Sequence, residues 1–294
     1  MERLGLGPDA CAARNPGLVF GRMTGWGQDG PLAGAAGHDL NYIALTGALS
    51  TIGPAGGDPV PPLNLVGDYG GGALFLAFGV CAALLEARSS GRGQVVDTAM
   101  VDGAATLMSS VFGLFAAGDF HQERGANMLD GGAYFYGAYR CADDRYISIA
   151  PIEGKFRVEL FERLGLDPAE IETISREDWK VQKERLAGIF RARTRDEWCA
   201  ELEGTDVCFA PVLELAEAPE HPHNKARQAF VEIEGVIQPA PAPRFSRTPG
   251  RVHGPVPEPG QHSREILADW GFEPATIDGL VDGGAVVQTA GPGA

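Results

Sequence analysis

The chain has no excess of positive charge and no paired cysteines, and no apolar leader is expected. Lys and Arg number 24 against 39 Asp and Glu, a formal charge of -15 and a pI near 4.8. Nucleic-acid faces are built on clustered Lys and Arg, so this balance argues against one. It still permits an anionic ligand held by local arginines and helix termini. Cys11, Cys81, Cys141, Cys199 and Cys208 are scattered, odd in number and free of any CxxC spacing. Reduced thiols are expected, without a disulfide framework or zinc site. His221-Pro222-His223 reads as a turn and not as a metal site, because proline separates the imidazoles and no cysteine lies near. Met1-Glu2-Arg3-Leu4 opens a helix-like segment with no apolar stretch behind it. The apolar run Ala73 to Leu85 is too short for a membrane span and reads as a buried helix. A soluble, cytoplasmic protein without membrane or nucleic-acid partners is expected.

What is present centres on Gly37 to Gly72. Gly37-His38-Asp39-Leu40-Asn41-Tyr42 and Asn64-Leu65-Val66-Gly67-Asp68-Tyr69-Gly70-Gly71-Gly72 set an imidazole and a carboxylate at the mouths of two apolar segments. Asp68 falls at the start of the second, where a carboxylate meets the positive end of a helix dipole. Three glycines behind it permit close approach of a ligand to the backbone. For a lone Asp beside glycines, a helix cap with a loose turn is the plainer reading. Gly25-Trp26-Gly27-Gln28-Asp29-Gly30 matches G-x-G-x-x-G, but a flexible loop follows where the dinucleotide fingerprint needs a helix.

In chain order, Leu18–Met23 reads as a core strand, apolar on both faces. Helices are expected over His38–Ser50, up to Arg88, and over Val101–Ala117. Beyond Gly132 the pattern changes to alternating strands at Tyr134–Arg140 and Arg145–Ala150, with Ala142-Asp143-Asp144 as a turn. Helices at Lys155–Leu164, Gln182–Ala192 and Arg195–Leu202 and a strand at Val207–Leu213 complete a second, α+β region. Pro239–Pro259 is proline-rich and extended, Ser263–Trp270 and Ile277–Val281 read as helices, and Gly291–Ala294 as a frayed tail.

Gly37–Tyr42, Pro61–Asp68 and Gly125-Ala126-Asn127-Met128-Leu129-Asp130-Gly131-Gly132 resemble the α-methylacyl-CoA racemases of the class III CoA-transferase family. Gly91–Asp97, Ala242–Ser246 and Gly260–Glu265 resemble the wider family. The resemblance implies an α/β fold with a Rossmann-like large domain (residues 1–132) and a small α+β domain (133–240). Residues 241–294 would return to the large domain, and the assembly would be an interlocked homodimer. Family members begin with a strand and helix that this chain lacks, so its large domain is expected to be incomplete at the N-terminus.

The resemblance also implies the chemistry. His38 and Asp68 match two bases that epimerise a 2-methyl-branched acyl-CoA through an enolate. Glu153 matches a carboxylate partnering the histidine, and Asn64 would orient Asp68. Backbone amides near Gly70, Gly71 and Gly72, and near Met128 and Leu129, are candidates to hold the thioester. Arg124, Arg140 and Arg244 are candidates for the phosphates of coenzyme A. No cofactor is implied beyond the coenzyme A of the substrate itself. Two alternatives stand: a CoA transferase with Asp68 as nucleophile, and an inactive shortened member.

Overall fold

The computed structural model describes residues 1–289; the expected tail at Gly291–Ala294 lies outside them. Two compact units divide the chain, Met1–Val212 and Leu213–Ala294.

In the first unit a 3-10 turn at Glu2–Leu4 precedes helix α1 (Pro8–Arg14), whose Pro8 sits at the first turn, where a missing N–H costs nothing. Strands β1 (Phe20–Thr24) and β2 (Val95–Ala99) pair in parallel from Phe20↔Val95 to Thr24↔Ala99. The expectation of a strand buried on both faces fails: β1 alternates, with Gly21 and Met23 exposed. The single helix expected after His38 is two, α2 (Asp39–Leu45) and α3 (Ala48–Thr51). Gly47 between them adopts φ 82°, which an α-helix cannot hold.

A π-helix, Leu65–Ala73, runs directly into α4 (Leu74–Ser90), which ends at Gly91 with φ 73°. The expected buried helix is therefore neither short nor buried. The joined helix has 26 residues, enough by length and composition to cross a membrane. Length and apolarity alone do not decide for a bilayer, because a core helix has both. Of α4 only Ala83 is buried, while Leu74, Phe78 and Leu85 are two-thirds or more exposed. Its covered side lies on the strand pair, where Leu76 and Val80 meet Gly21 and Val96 meets Gly79. The next expected helix is also two, α5 (Met100–Leu107) and α6 (Ser109–Ala117), bent by 49°.

The rest of this unit follows its pattern closely. β3 (Gly137–Arg140), β4 (Tyr146–Ile149) and β5 (Phe209–Val212) form an antiparallel sheet in the order β3-β4-β5. Helices α7 (Gly154–Arg163), α8 (Trp179–Phe190) and α9 (Arg195–Leu202) supply the other side of its core. Leu160, Phe161, Leu186, Phe190 and Leu202 are fully buried there with Ile147 and Ile149. A second, smaller cluster joins Ile43, Ala48 and Ala104 of α2, α3 and α5.

The second unit contains α10 (Pro222–Ala226), a hairpin of β6 (Phe230–Ile233) and β7 (Val236–Pro239), α11 (Ser263–Asp269) and α12 (Pro274–Asp282). His221 caps α10, accepting the His223 amide at its Nδ1 (3.3 Å). The hairpin was not anticipated. Its turn, Glu234-Gly235, has φ of 49° and 80°, the left-handed pair that matches strand twist.

Candidate active site

His38 stands at the N-cap of α2, exposed, its backbone N–H donating to Asn41 Oδ1 at 3.1 Å. The next residue, Asp39, is 6% exposed. Its Oδ2 accepts the backbone amides of Gly67 and Asp68 at 2.7 and 2.8 Å. The N-terminus of α2 is thereby fastened to the first turn of the π-helix, and the elements bearing His38 and Asp68 meet. Asp68 is half-buried, and its Oδ2 accepts Asn64 Nδ2 at 3.2 Å. Asn64 is the residue expected to orient Asp68.

Tyr42, one turn along α2, closes the inner side. Its hydroxyl donates to the Gly37 carbonyl, and its ring meets Trp26 edge-on at 4.7 Å between centroids. Burial raises the Tyr42 phenol above its ordinary pKa, with a smaller push from the Asp68 charge, so it stays protonated beside the carboxylate. A Cβ on Gly37 would fall 2.8 Å from the Trp26 ring, and one on Gly25 would overlap Tyr42. The first glycine of the G-x-G-x-x-G stretch is thus small to admit a ring.

The three glycines after Asp68 do not form a loose turn. They lie within the π-helix, and Gly71 and Gly72 are buried. A Cβ on Gly71 would stand 2.6 Å from the Ala104 amide nitrogen, and one on Gly72 3.0 Å from Met100 and 3.1 Å from the Met23 sulfur. Their smallness lets α5 and the π-helix touch along the backbone. π-Helical turns are rare and recur at functional sites, and Asp68 is inside this one.

Asp130 organises the Gly125–Gly132 motif. Its two oxygens accept the amides of Gly125 (2.9 Å), Asn127 (2.9 Å) and Gly132 (3.0 Å), and Nδ2 of Asn127 (2.8 Å). Asn127 is buried, and Arg176 donates to its Oδ1 at 3.0 Å and to the Ala126 carbonyl at 2.7 Å. Met128 packs on the β3-β4-β5 core, whereas Leu129 is exposed. Arg124 donates to the carbonyls of Ser50 (3.0 Å) and Gly57, so its guanidinium holds the loop between α3 and the π-helix. Arg140 pairs with Asp144 at 2.7 Å, and Arg244 donates to the Gln228 carbonyl at 2.9 Å.

Glu153 has its own place in the fold, at the start of α7. It is exposed at the N-cap of α7, and its carbonyl accepts the amides of Phe156 and Arg157. Among the described residues no hydrogen bond joins it to His38. Asp39 is the member of this group that the local sequence does not mark. An acid in the first turn of a helix ordinarily serves its own dipole, and nothing in the local sequence marks a contact 28 residues away.

A parallel strand pair flanked by apolar helices, beside an antiparallel sheet with its own helices, makes a mixed α/β protein. An imidazole and a carboxylate are presented from two abutting helix starts. Residues 1–263 match CoA-transferase family III, and the chain belongs to that family. It is 43% identical over 280 residues to the α-methylacyl-CoA racemase of Mus musculus, covering 94% of this chain and 74% of that protein. The Homo sapiens racemase is 41% identical over 276 residues, 92% and 72% of the two chains. A CAIB/BAIF family protein from Brucella suis has the same fold, with a TM-score of 0.72 at 23% identity over 91% of this chain and 72% of that one.

Proposed function

We propose that this protein epimerises 2-methyl-branched acyl-CoA thioesters at the carbon next to the thioester. One observation carries the reading: Asp39 fastens the helix start that bears His38 to the turn that bears Asp68. The similarity to the two racemases supports it. Inversion needs one group to remove the α-proton from one face and another to return a proton on the opposite face. His38 and Asp68 are of the right kinds and come from different elements. Asn64 donates to one carboxylate oxygen of Asp68. The enolate oxygen needs fixed donors, and the amides around Met128 and Leu129 remain our candidates. Coenzyme A is part of the substrate, and the reaction needs no further cofactor.

In this reading the working unit is a soluble, cytoplasmic homodimer, with the β1–β2 pair belonging to a Rossmann-like large domain. Glu153 is then supplied to His38 by a second copy, in keeping with the lack of a hydrogen bond between the two among the described residues. A carboxylate on the imidazole fixes its tautomer and favours its protonated form.

The test is proton exchange in heavy water. Incubating either epimer of a 2-methylacyl-CoA should introduce one deuterium at the α-carbon and erode stereochemical purity together. Transfer of CoA between acids without α-exchange would assign the site to a transferase with Asp68 as nucleophile.

A further inference from the structure

We propose that Asp39 is the positioning residue of this site, a single buried carboxylate that fixes where both bases stand; this rests on the racemase reading for its kinetic half. Four observations converge on it. First, Asp39 does not serve its own helix. The N-terminal amide of His38 is taken by the Asn41 side chain, and Asp39 reaches across to Gly67 and Asp68. Second, those two amides belong to the opening turn of the π-helix, where backbone donors have no acceptor in their own helix. Asp39 therefore caps another element, with a charge of the sign that a helix start favours.

Third, the position is expensive to maintain. Asp39 is 6% exposed, and its Oδ1 is buried with no hydrogen-bond partner among the described residues. A buried carboxylate oxygen left unpaired is unfavourable, and an apolar residue in its place would avoid that penalty. Fourth, its target is shaped for it: a Cβ on Gly67 would stand 2.6 Å from Asp39 Oδ2. Only glycine lets the carboxylate come close enough to bridge two consecutive amides. Since Asp39 is covalently next to His38 and bonded to the amide of Asp68, one displacement of its side chain moves both bases at once.

This distinguishes Asp39 from either base. Loss of Asp68 or His38 should act chiefly on one face of the enolate, and loss of Asp39 on both faces alike. Asp39→Ala, Asp39→Asn and Gly67→Ala form the test. Deuterium wash-in is measured from each substrate epimer, and backbone amide exchange is measured on peptides covering 65–73 and 38–45 without substrate. Misplacement by about 1 Å costs roughly 10²-fold in rate, so Asp39→Ala should lower kcat by about that factor for both epimers. KM should move by less than about threefold, as expected when the lost interaction is not with substrate.

The amides of Gly67 and Asp68 should exchange at least about tenfold faster, having lost a charged acceptor. Asp39→Asn should fall between, because a neutral carboxamide oxygen can accept both amides more weakly; it carries the test if the alanine variant does not fold. Gly67→Ala should reproduce the symmetric loss, and combining it with Asp39→Ala should add little. Three results would overturn the proposal: unchanged amide protection, a loss confined to one epimer, or a lowered melting temperature with kcat per folded molecule intact. A wild-type protein that does not exchange the α-proton sinks the racemase reading instead, and the amide measurement still judges Asp39.

Discussion

At the scale of single residues, His38, Asp68 and Asn64 stand out in the sequence because family resemblance attaches to short contiguous strings. The structure adds what a string cannot hold. Asp39 matters through partners 28 and 29 residues away, and Asp130 through three amides and a carboxamide. Glu153 poses the sharpest question at this scale, since it is exposed and, among the described residues, has no hydrogen bond to His38. If a second copy supplies it, His38→Ala and Glu153→Ala proteins should complement each other. Each alone should lose about 10²–10⁴-fold in exchange rate. Dissociated and reassembled together, they should recover up to about a quarter of wild-type activity. Half of the dimers would then be mixed, with one intact site in two. No recovery after mixing would place the pairing within one chain or remove Glu153 from it.

At the scale of elements, the helices α7 to α9 and the strands β3 to β5 were read to within three residues of their ends, because alternation and capping are local, whereas α10 and the β6–β7 hairpin were not read at all. Arg195–Leu202 was located to the residue, and its start is a capping box in which Thr194 and Glu197 serve each other's backbone amides. The breaks in the first half were missed. Gly47 and Met108 each divide a segment whose apolar pattern is continuous. The π-helix was invisible for a further reason: its i→i+5 bonding leaves no periodic mark in nine residues. What secures it is contact with α5. A Cβ on Gly103 would overlap the Gly71 carbonyl. Gly103→Ala should therefore force the helices apart and cost about 1–3 kcal/mol, the usual range for overpacking, even though alanine is the better helix former. Urea unfolding measures it, and a stabilised variant would show that the contact yields freely.

At the scale of the whole molecule, the apolar weight of the sequence and the position of its core do not coincide. Ala73 to Leu85 is the most apolar stretch, yet Phe78 is 76% exposed, while Phe161 in a mixed helix is 0% exposed. Hydropathy records what a side chain prefers, and burial depends on what the chain brings against it. Around Phe161 three helices and three strands converge; on the outer face of α4 nothing in the first unit does. Phe161→Ala should cost about 3–5 kcal/mol, and Phe78→Ala less than about 0.5 kcal/mol, as for other surface sites. Equal losses in urea melts of the dilute protein would mean that the outer face of α4 is covered in solution.

The meeting of Gly71 with Gly103 also has a consequence for inheritance. Every missense change of a glycine codon installs a residue with a Cβ, and neither position has a smaller residue to retreat to. A lesion at one cannot be suppressed by trimming the other. In a random mutant library these two codons should tolerate synonymous changes and little else. Second-site revertants of either should then map to side chains that set the spacing of the two helices, Met100 and Leu107 first among them.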